Sequence, residues 1–211
     1  MRRKRRKEKI YSKIYLGEFH MMYKFNKKEI KLILDNLTIC VDSREQSNQH
    51  IIDFFDKKKI PYSIEKLPFG DYSCKIPVGT LDMFTTDVYF TNDFVIERKA
   101  NIDELANNLR QDAARLKKEL AHLNMYQIRY LVYVEDKDFE ENLRTGNFRS
   151  AYDPYTLMRR LYCLEGEYNT AFIGLSKEVM GSKIANKMQT WVHALLKHKG
   201  FILGKEGENI D

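Results

Sequence analysis

The chain has 211 residues, 43% apolar and 31% charged, a balance that excludes global disorder, collagen-like repeats and disulfide miniproteins. Its formal net charge of +6 is uneven: residues 1–40 hold 12 Lys+Arg against 4 Asp+Glu, net +8, which leaves residues 41–211 at −2. No apolar run approaches the ~20 residues that cross a bilayer, and the basic start leads into no apolar stretch or small-residue cleavage site, so neither a membrane protein nor a secreted one is expected.

Cys40, Cys74 and Cys163 form no C-x-x-C, which argues against zinc ribbons and disulfide frameworks and suits a reducing cytoplasm, or the nucleus if the source is eukaryotic. No H-E-x-x-H, G-x-x-x-x-G-K-[ST] or G-x-G-x-x-G occurs, which removes zincin, P-loop and dinucleotide chemistry. A cationic arm on a near-neutral body suits a polyanion partner met first by the arm. A solvated terminus without a partner is the plainer alternative.

Residues 1–9 are nearly all cationic, with Arg2, Arg3, Lys4, Arg5, Arg6 and Lys7 in unbroken sequence, and are expected to be disordered in isolation. Residues 10–35 mix aromatics and lysines without a clean period and end in a short helix at 28–34, so 1–36 reads as a basic extension. From Leu37 an apolar strand (LTICVD), a helix at 49–58 with Ile52, Phe55 and Ile60 inward, and a strand after Pro61 make a β-α-β unit. A turn at Pro68-Phe69-Gly70-Asp71, a strand YSCKI, a second strand VYF and the strand FVIERK follow, with antiparallel-type connections.

Residues 102–123 carry apolar side chains at unbroken three-and-four spacing, which predicts one long helix capped by Asn101 with Glu104 reaching back. RYLVYV at 129–134 reads as a strand covered on both faces. A helix at 154–165, a strand at 170–174 and a helix at 176–198 complete an α/β alternation with a central mixed sheet. The domain is expected at 37–200, with a tail at 201–211.

Four polar pieces fall where strands end: Val41-Asp42-Ser43-Arg44-Glu45, Gly70-Asp71-Tyr72, Ile96-Glu97-Arg98-Lys99, and Asp103. Open α/β sheets place sites at strand ends, and alternation sends Glu97 and Lys99 to one face and Arg98 to the other. Phosphodiester hydrolysis asks for such a set: carboxylates for Mg²⁺ or Mn²⁺, a metal to polarise the phosphoryl group and acidify water, and an ammonium near the nucleophile. Asp71 and Glu97 suit the metal and Lys99 the last task, while Asp103 suits a second ion or the orientation of Lys99 or Arg98. The plainer readings are a Gly-Asp turn and a solvated charge run.

These pieces, V-D-x-R-E, then G-D, then E-R-K-x-x-x-D, resemble the nuclease domain of XPF-type structure-specific endonucleases, a branch of the restriction-endonuclease-like PD-(D/E)xK superfamily, in a small stand-alone form similar to phage and bacterial versions. The resemblance runs from about Leu37 to about His198. It implies a restriction-endonuclease-like α/β fold and a metal-dependent DNA endonuclease. Asp42, Asp71, Glu97, Lys99 and Asp103 fall on the catalytic positions, and Arg44, Glu45 and Arg98 on the supporting ones. It further implies branched or flapped DNA as substrate, a role in repair, recombination or replication, and a two-subunit assembly such as a homodimer. The segment between Asp71 and Glu97 is longer than the family's shortest, and no tandem helix-hairpin-helix module is visible.

Arg110 and Arg115, with Lys117 and Lys118, could line a DNA groove, although Asp112 and Glu119 fit an ordinary solvated face equally well. Trp191, Met180 and Met188 read as core or dimer contacts, and the five histidines as surface or packing residues. The rival from another class is a catalytically silent DNA-binding or scaffolding subunit, whose mark would be erosion of the acidic and lysine positions. An RNA-binding module would need paired aromatic motifs that are absent.

Overall fold

A computed structural model describes residues 11–15, 18–198 and 201–203. Two short strands, β1 (Tyr11–Tyr15) and β2 (Glu18–Tyr23), precede helix α1 (Lys27–Asn36). Asn26 and Glu29 close a reciprocal capping box at the start of α1, the Asn26 side-chain Oδ1 accepting from Lys28 N and Glu29 N while Glu29 Oε2 accepts from Asn26 N at 2.7 Å. The aromatic-rich stretch read as aperiodic is thus partly a hairpin, which β10 (Phe201–Leu203) joins by pairing antiparallel to β2. A pairing with strand 201–203, nearly 180 residues away, leaves no local signature.

The main sheet is built from β3 (Thr38–Asp42), β4 (Tyr62–Glu65), β5 (Tyr72–Ile76), β6 (Val88–Tyr89), β7 (Phe94–Lys99), β8 (Arg129–Glu135) and β9 (Thr170–Leu175). Its order is β4-β3-β5-β7-β8-β9, with β6 on β5. β3 and β4 are parallel across helix α2 (Gln49–Lys58), and β7, β8 and β9 run parallel, while β5 is antiparallel to both β3 and β7. The expected mixed sheet is therefore present, and the one reversed strand carries Asp71 at its start to the ends of β3 and β7.

Helices cover both faces. On one, α1, α2 and α7 (Met180–His198) bury Ile33, Ile51, Phe55, Ile184 and Val192 against Ile39, Tyr72 and Ile96. Ile51 and Phe55 are the buried residues of α2, with Ile52 and Ile60 only partly covered. Met180 and Met188 are fully buried and Trp191 packs edge-on against Phe94, so the core reading of these residues holds within the chain.

On the other face, α3 (Ile102–Gln111), α4 (Ala113–Met125), α5 (Phe139–Thr145) and α6 (Pro154–Glu167) pack on Val95, Tyr130, Val132 and Val134. The single helix expected over 102–123 is two, kinked at Asp112 (φ −115°, ψ 22°). Asp is a poor helix former because its short carboxylate competes for nearby donors; here it takes Arg115 Nη2 at 3.2 Å. The apolar spacing continues through the kink, which hides the break from periodicity. Helix α5 had no expectation at all. Its Phe139 fits only because position 174 is glycine, where a Cβ would come within 2.1 Å of the Phe139 Cβ.

The last helix begins four residues later than expected, after a 3₁₀ turn at Lys177–Val179. Among the described residues, no helix is long and apolar enough to cross a membrane. Arg2, Arg3, Lys4, Arg5, Arg6 and Lys7, and the expected disorder of 1–9, lie outside the described residues, as do 204–211.

Candidate active site

Gly70 makes the site possible. It sits at φ +65°, where L side chains are strained, and a Cβ there would meet Val95 Cβ at 3.0 Å and the Ile96 carbonyl at 3.1 Å. The close approach lets Asp71 N donate to Ile96 O at 2.9 Å, and the Asp71 Oδ2 in turn accepts the Arg98 backbone N–H at 2.7 Å. Asp71 is thereby fixed against the end of β7, beside Glu97. On its other side Asp42 N donates to Asp71 O at 2.8 Å, so three strand ends meet here.

Glu97 and Lys99 share a face, as alternation requires, and Lys99 Nζ donates to Glu97 Oε1 at 2.6 Å and lies 3.5 Å from Glu104 Oε1. Both line a cleft of about 50 Å³ floored by Tyr130 and Val132 and walled by Asn108, Asp112, Arg115 and Glu119 of the kinked helix pair. Burial and the neighbouring Glu97 push the Asp71 carboxyl up to about 8, against the lowering effect of the Arg98 N–H. Burial and the same Glu97 also raise Glu119. Burial works against the Lys99 ammonium, yet Glu97 outweighs it and holds Lys99 above its ordinary value.

Arg98 points the other way, as expected. Its Nε and Nη2 grip Glu135 Oε1 and Oε2 at 2.8 and 2.9 Å, and Nη1 reaches Glu45 Oε1 at 3.3 Å. His50 Nε2 lies 2.5 Å from Glu135 Oε1. Glu135 and His50 were not singled out by sequence. Glu135 had a usable signal, being the first polar residue after an apolar run on a parallel strand next to E-R-K. His50 had none, because its helix meets β8 only in three dimensions.

Arg44 and Glu45 do not brace each other. Arg44 forms a bidentate pair with Asp42, Nε to Oδ1 at 2.9 Å and Nη2 to Oδ2, and also donates to Leu67 O at 2.8 Å. Asp42 accepts Arg44 N and Leu67 N as well, so its oxygens are fully engaged. Burial tends to raise the Asp42 carboxyl, but these donors, Arg44 foremost, hold it below its ordinary value. The Arg44 guanidinium lies within electrostatic reach of Asp71 and Glu97. Asp103 joins neither carboxylate: its oxygens accept Arg149 N and Ser150 N at 2.7 Å each. Arg110 and Arg115 are both exposed, and Arg115 lines the cleft.

Among the described residues there is no group of three or more His, Cys, Asp or Glu that could hold a metal ion. The donor set nevertheless suits one class of ion. Two carboxylates, Asp71 and Glu97, are held together at a charge cost shown by the raised Asp71, and Asn108 Oδ1 is buried without a hydrogen-bond partner in the same cleft. Mg²⁺ keeps several waters and takes only one or two carboxylates, so hard oxygen donors in this number fit it, and Mn²⁺ likewise, better than a metal needing a closed cage.

A family model described as ERCC4 domain matches residues 41–187. The chain belongs to the ERCC4 domain family. The match spans more than half of the chain, so its domain is of the ERCC4 nuclease type. Among solved structures it is similar to XPF from Aeropyrum pernix, with a TM-score of 0.53 and 16% identity, covering 75% of this chain and 66% of that one. XPF from Aeropyrum pernix in complex with DNA also matches, at a TM-score of 0.48 and 15% identity over 72% and 65% of the two chains. The chain spans about two thirds of the length of these neighbours. No curated protein matches.

Proposed function

We propose that this ERCC4 domain is a metal-dependent DNA endonuclease. The observation that carries the reading is that Asp71, at the start of β5, lies beside Glu97 and Lys99 at the end of β7, with the Asp71 carboxyl raised by burial and by Glu97. A divalent ion, Mg²⁺ or Mn²⁺, would be held by Asp71 and Glu97 and would supply Lewis acidity to a phosphoryl oxygen. Asp71 is presented by the Arg98 N–H, and Arg98 is immobilised by Glu135 and Glu45, so the carboxylate keeps its aim without substrate. The Lys99 ammonium, kept charged by Glu97, offsets negative charge developing on the phosphoryl oxygens and orients the attacking water. Arg44 and Arg115 offer phosphate contacts at the rim.

The substrate in this reading is branched or flapped DNA, the assembly a homodimer, the basic extension 1–36 a phosphate-binding arm and 37–200 the catalytic domain. Intact acidic and lysine positions weigh against a silent scaffolding subunit. The deciding experiment incubates the full chain with Mg²⁺ or Mn²⁺ on duplex, flap, fork, single-stranded and four-way-junction DNA. Cutting of a junction substrate by the wild type and its loss in Glu97→Ala is expected. Equal cutting by Glu97→Ala would remove the assignment, and no cutting by the wild type on any substrate would favour the scaffolding reading.

A further inference from the structure

We infer that Asp103 is a latch that presents Arg149 to a DNA phosphate beside the cleft, rather than a carboxylate for metal or chemistry. This rests on the nuclease reading of Asp71, Glu97 and Lys99. Asp103 stands in the first turn of α3, four residues after Lys99. Its Oδ1 accepts the backbone N–H groups of both Arg149 and Ser150 at 2.7 Å, and Oδ2 lies 3.3 Å from Arg149 Nε. Two backbone donors occupy the lone pairs of Oδ1, and Lys99 spends its ammonium on Glu97 and Glu104 instead.

The latched segment, residues 146–153, joins α5 to α6 at the end of the sheet where β7 and β8 finish. Its flanks are anchored, since Phe148 and Tyr152 pack on the core and the Tyr152 hydroxyl accepts from Arg160 Nη1 at 2.5 Å. Between them the Arg149 side chain is 89% exposed, while the Asp103 side chain is 22% exposed. An Arg whose Nε is tethered and whose two Nη groups make no hydrogen bond among the described residues holds its fork ready for a phosphate. Bonds across 46 residues of sequence cost chain entropy to form, and their product here is the placement of one exposed guanidinium next to the helix that follows the catalytic strand.

The test uses the full chain with Ca²⁺, which reads binding without cutting, on a duplex bearing a single-stranded arm. Arg149→Ala should weaken binding roughly three- to tenfold and lower the log–log salt slope by about 0.7 to 0.9, the value of one lost phosphate contact. Asp103→Ala should do the same and also abolish hydrogen-exchange protection at the Arg149 and Ser150 amides, whereas Asp103→Asn, which still accepts both N–H groups, should keep protection and affinity. Should Asp103→Ala fail to fold, Arg149→Ala still decides, because its side chain is exposed. Unchanged affinity and slope in Arg149→Ala, or loss of protection in Asp103→Asn equal to that in Asp103→Ala, would overturn the latch. Binding and exchange are read without cleavage, so failure of the nuclease reading shows separately, as a wild type that binds but never cuts.

Discussion

The backbone N–H of Arg98 donates to Asp71 Oδ2 at 2.7 Å, so the residue that turns its guanidinium toward Glu135 and Glu45 still aims the Asp71 carboxylate. Main chain and side chain of Arg98 serve opposite faces of one strand. Glu135 and Glu45 anchor the guanidinium, and the amide carries that rigidity across the sheet to Asp71.

Asp71 should then lower stability in exchange for function. Its carboxyl is raised in the folded state, mainly by burial and then by Glu97, so the folded chain binds more protons than the unfolded one and stability falls as pH rises from the ordinary carboxylate range through about 8. Asp71→Asn, which mimics the protonated form and can still accept the Arg98 N–H, should melt higher than wild type in chelator at neutral and alkaline pH. The gap should close below about pH 4, while cutting falls by orders of magnitude. A melting series against pH, with no difference at neutrality, would count against this account of the site.

Lys99→Ala and Glu97→Ala should each cost cutting by a factor of about 10² or more with the fold retained, because both side chains line an open cleft rather than the core. Ca²⁺ in place of Mg²⁺ should support DNA binding without cleavage, since its looser coordination positions water poorly. Undiminished cutting in excess chelator would contradict the role given to Asp71 and Glu97.

Glu135→Ala should be strongly destabilising, by about 3 to 5 kcal/mol, because among the described residues it leaves the buried Arg98 guanidinium with only the 3.3 Å contact to Glu45. Urea unfolding measures the loss. Double substitution of Arg98 and Glu135 by apolar residues should recover much of that stability without restoring cutting. Recovery of both would mean that the Arg98 side chain has no part in aiming Asp71.

Deleting residues 1–9 should weaken DNA binding and flatten its salt dependence, each lost phosphate contact reducing the log–log slope by about 0.7 to 0.9. Single-turnover cleavage at saturating protein should be near that of the full chain, because the deletion leaves Asp71, Glu97 and Lys99 untouched. Titrations at several salt concentrations check it; identical slopes would make the arm a bystander to DNA.

Much of this protein was legible in one dimension because its signals are local. Strand alternation separates Glu97 and Lys99 from Arg98, apolar runs mark β7 and β8, and Gly70-Asp71 announces a turn at a strand end. Asn101 and Glu104 cap α3 nearly as their spacing requires, although Glu104 Oε2 reaches the Ala100 N–H rather than that of Asn101. Other features needed the fold. The pairing of β10 with β2, the packing of Phe139 over Gly174, the Glu135–Arg98–Glu45 clamp and the hold of Asp103 on the Arg149 amide join segments far apart in the chain. A carboxylate after E-R-K reads as catalytic when only sequence distance is visible. Its partner is decided by which loop the tertiary packing lays against it, and for Asp103 that is a loop 46 residues away whose amides it accepts.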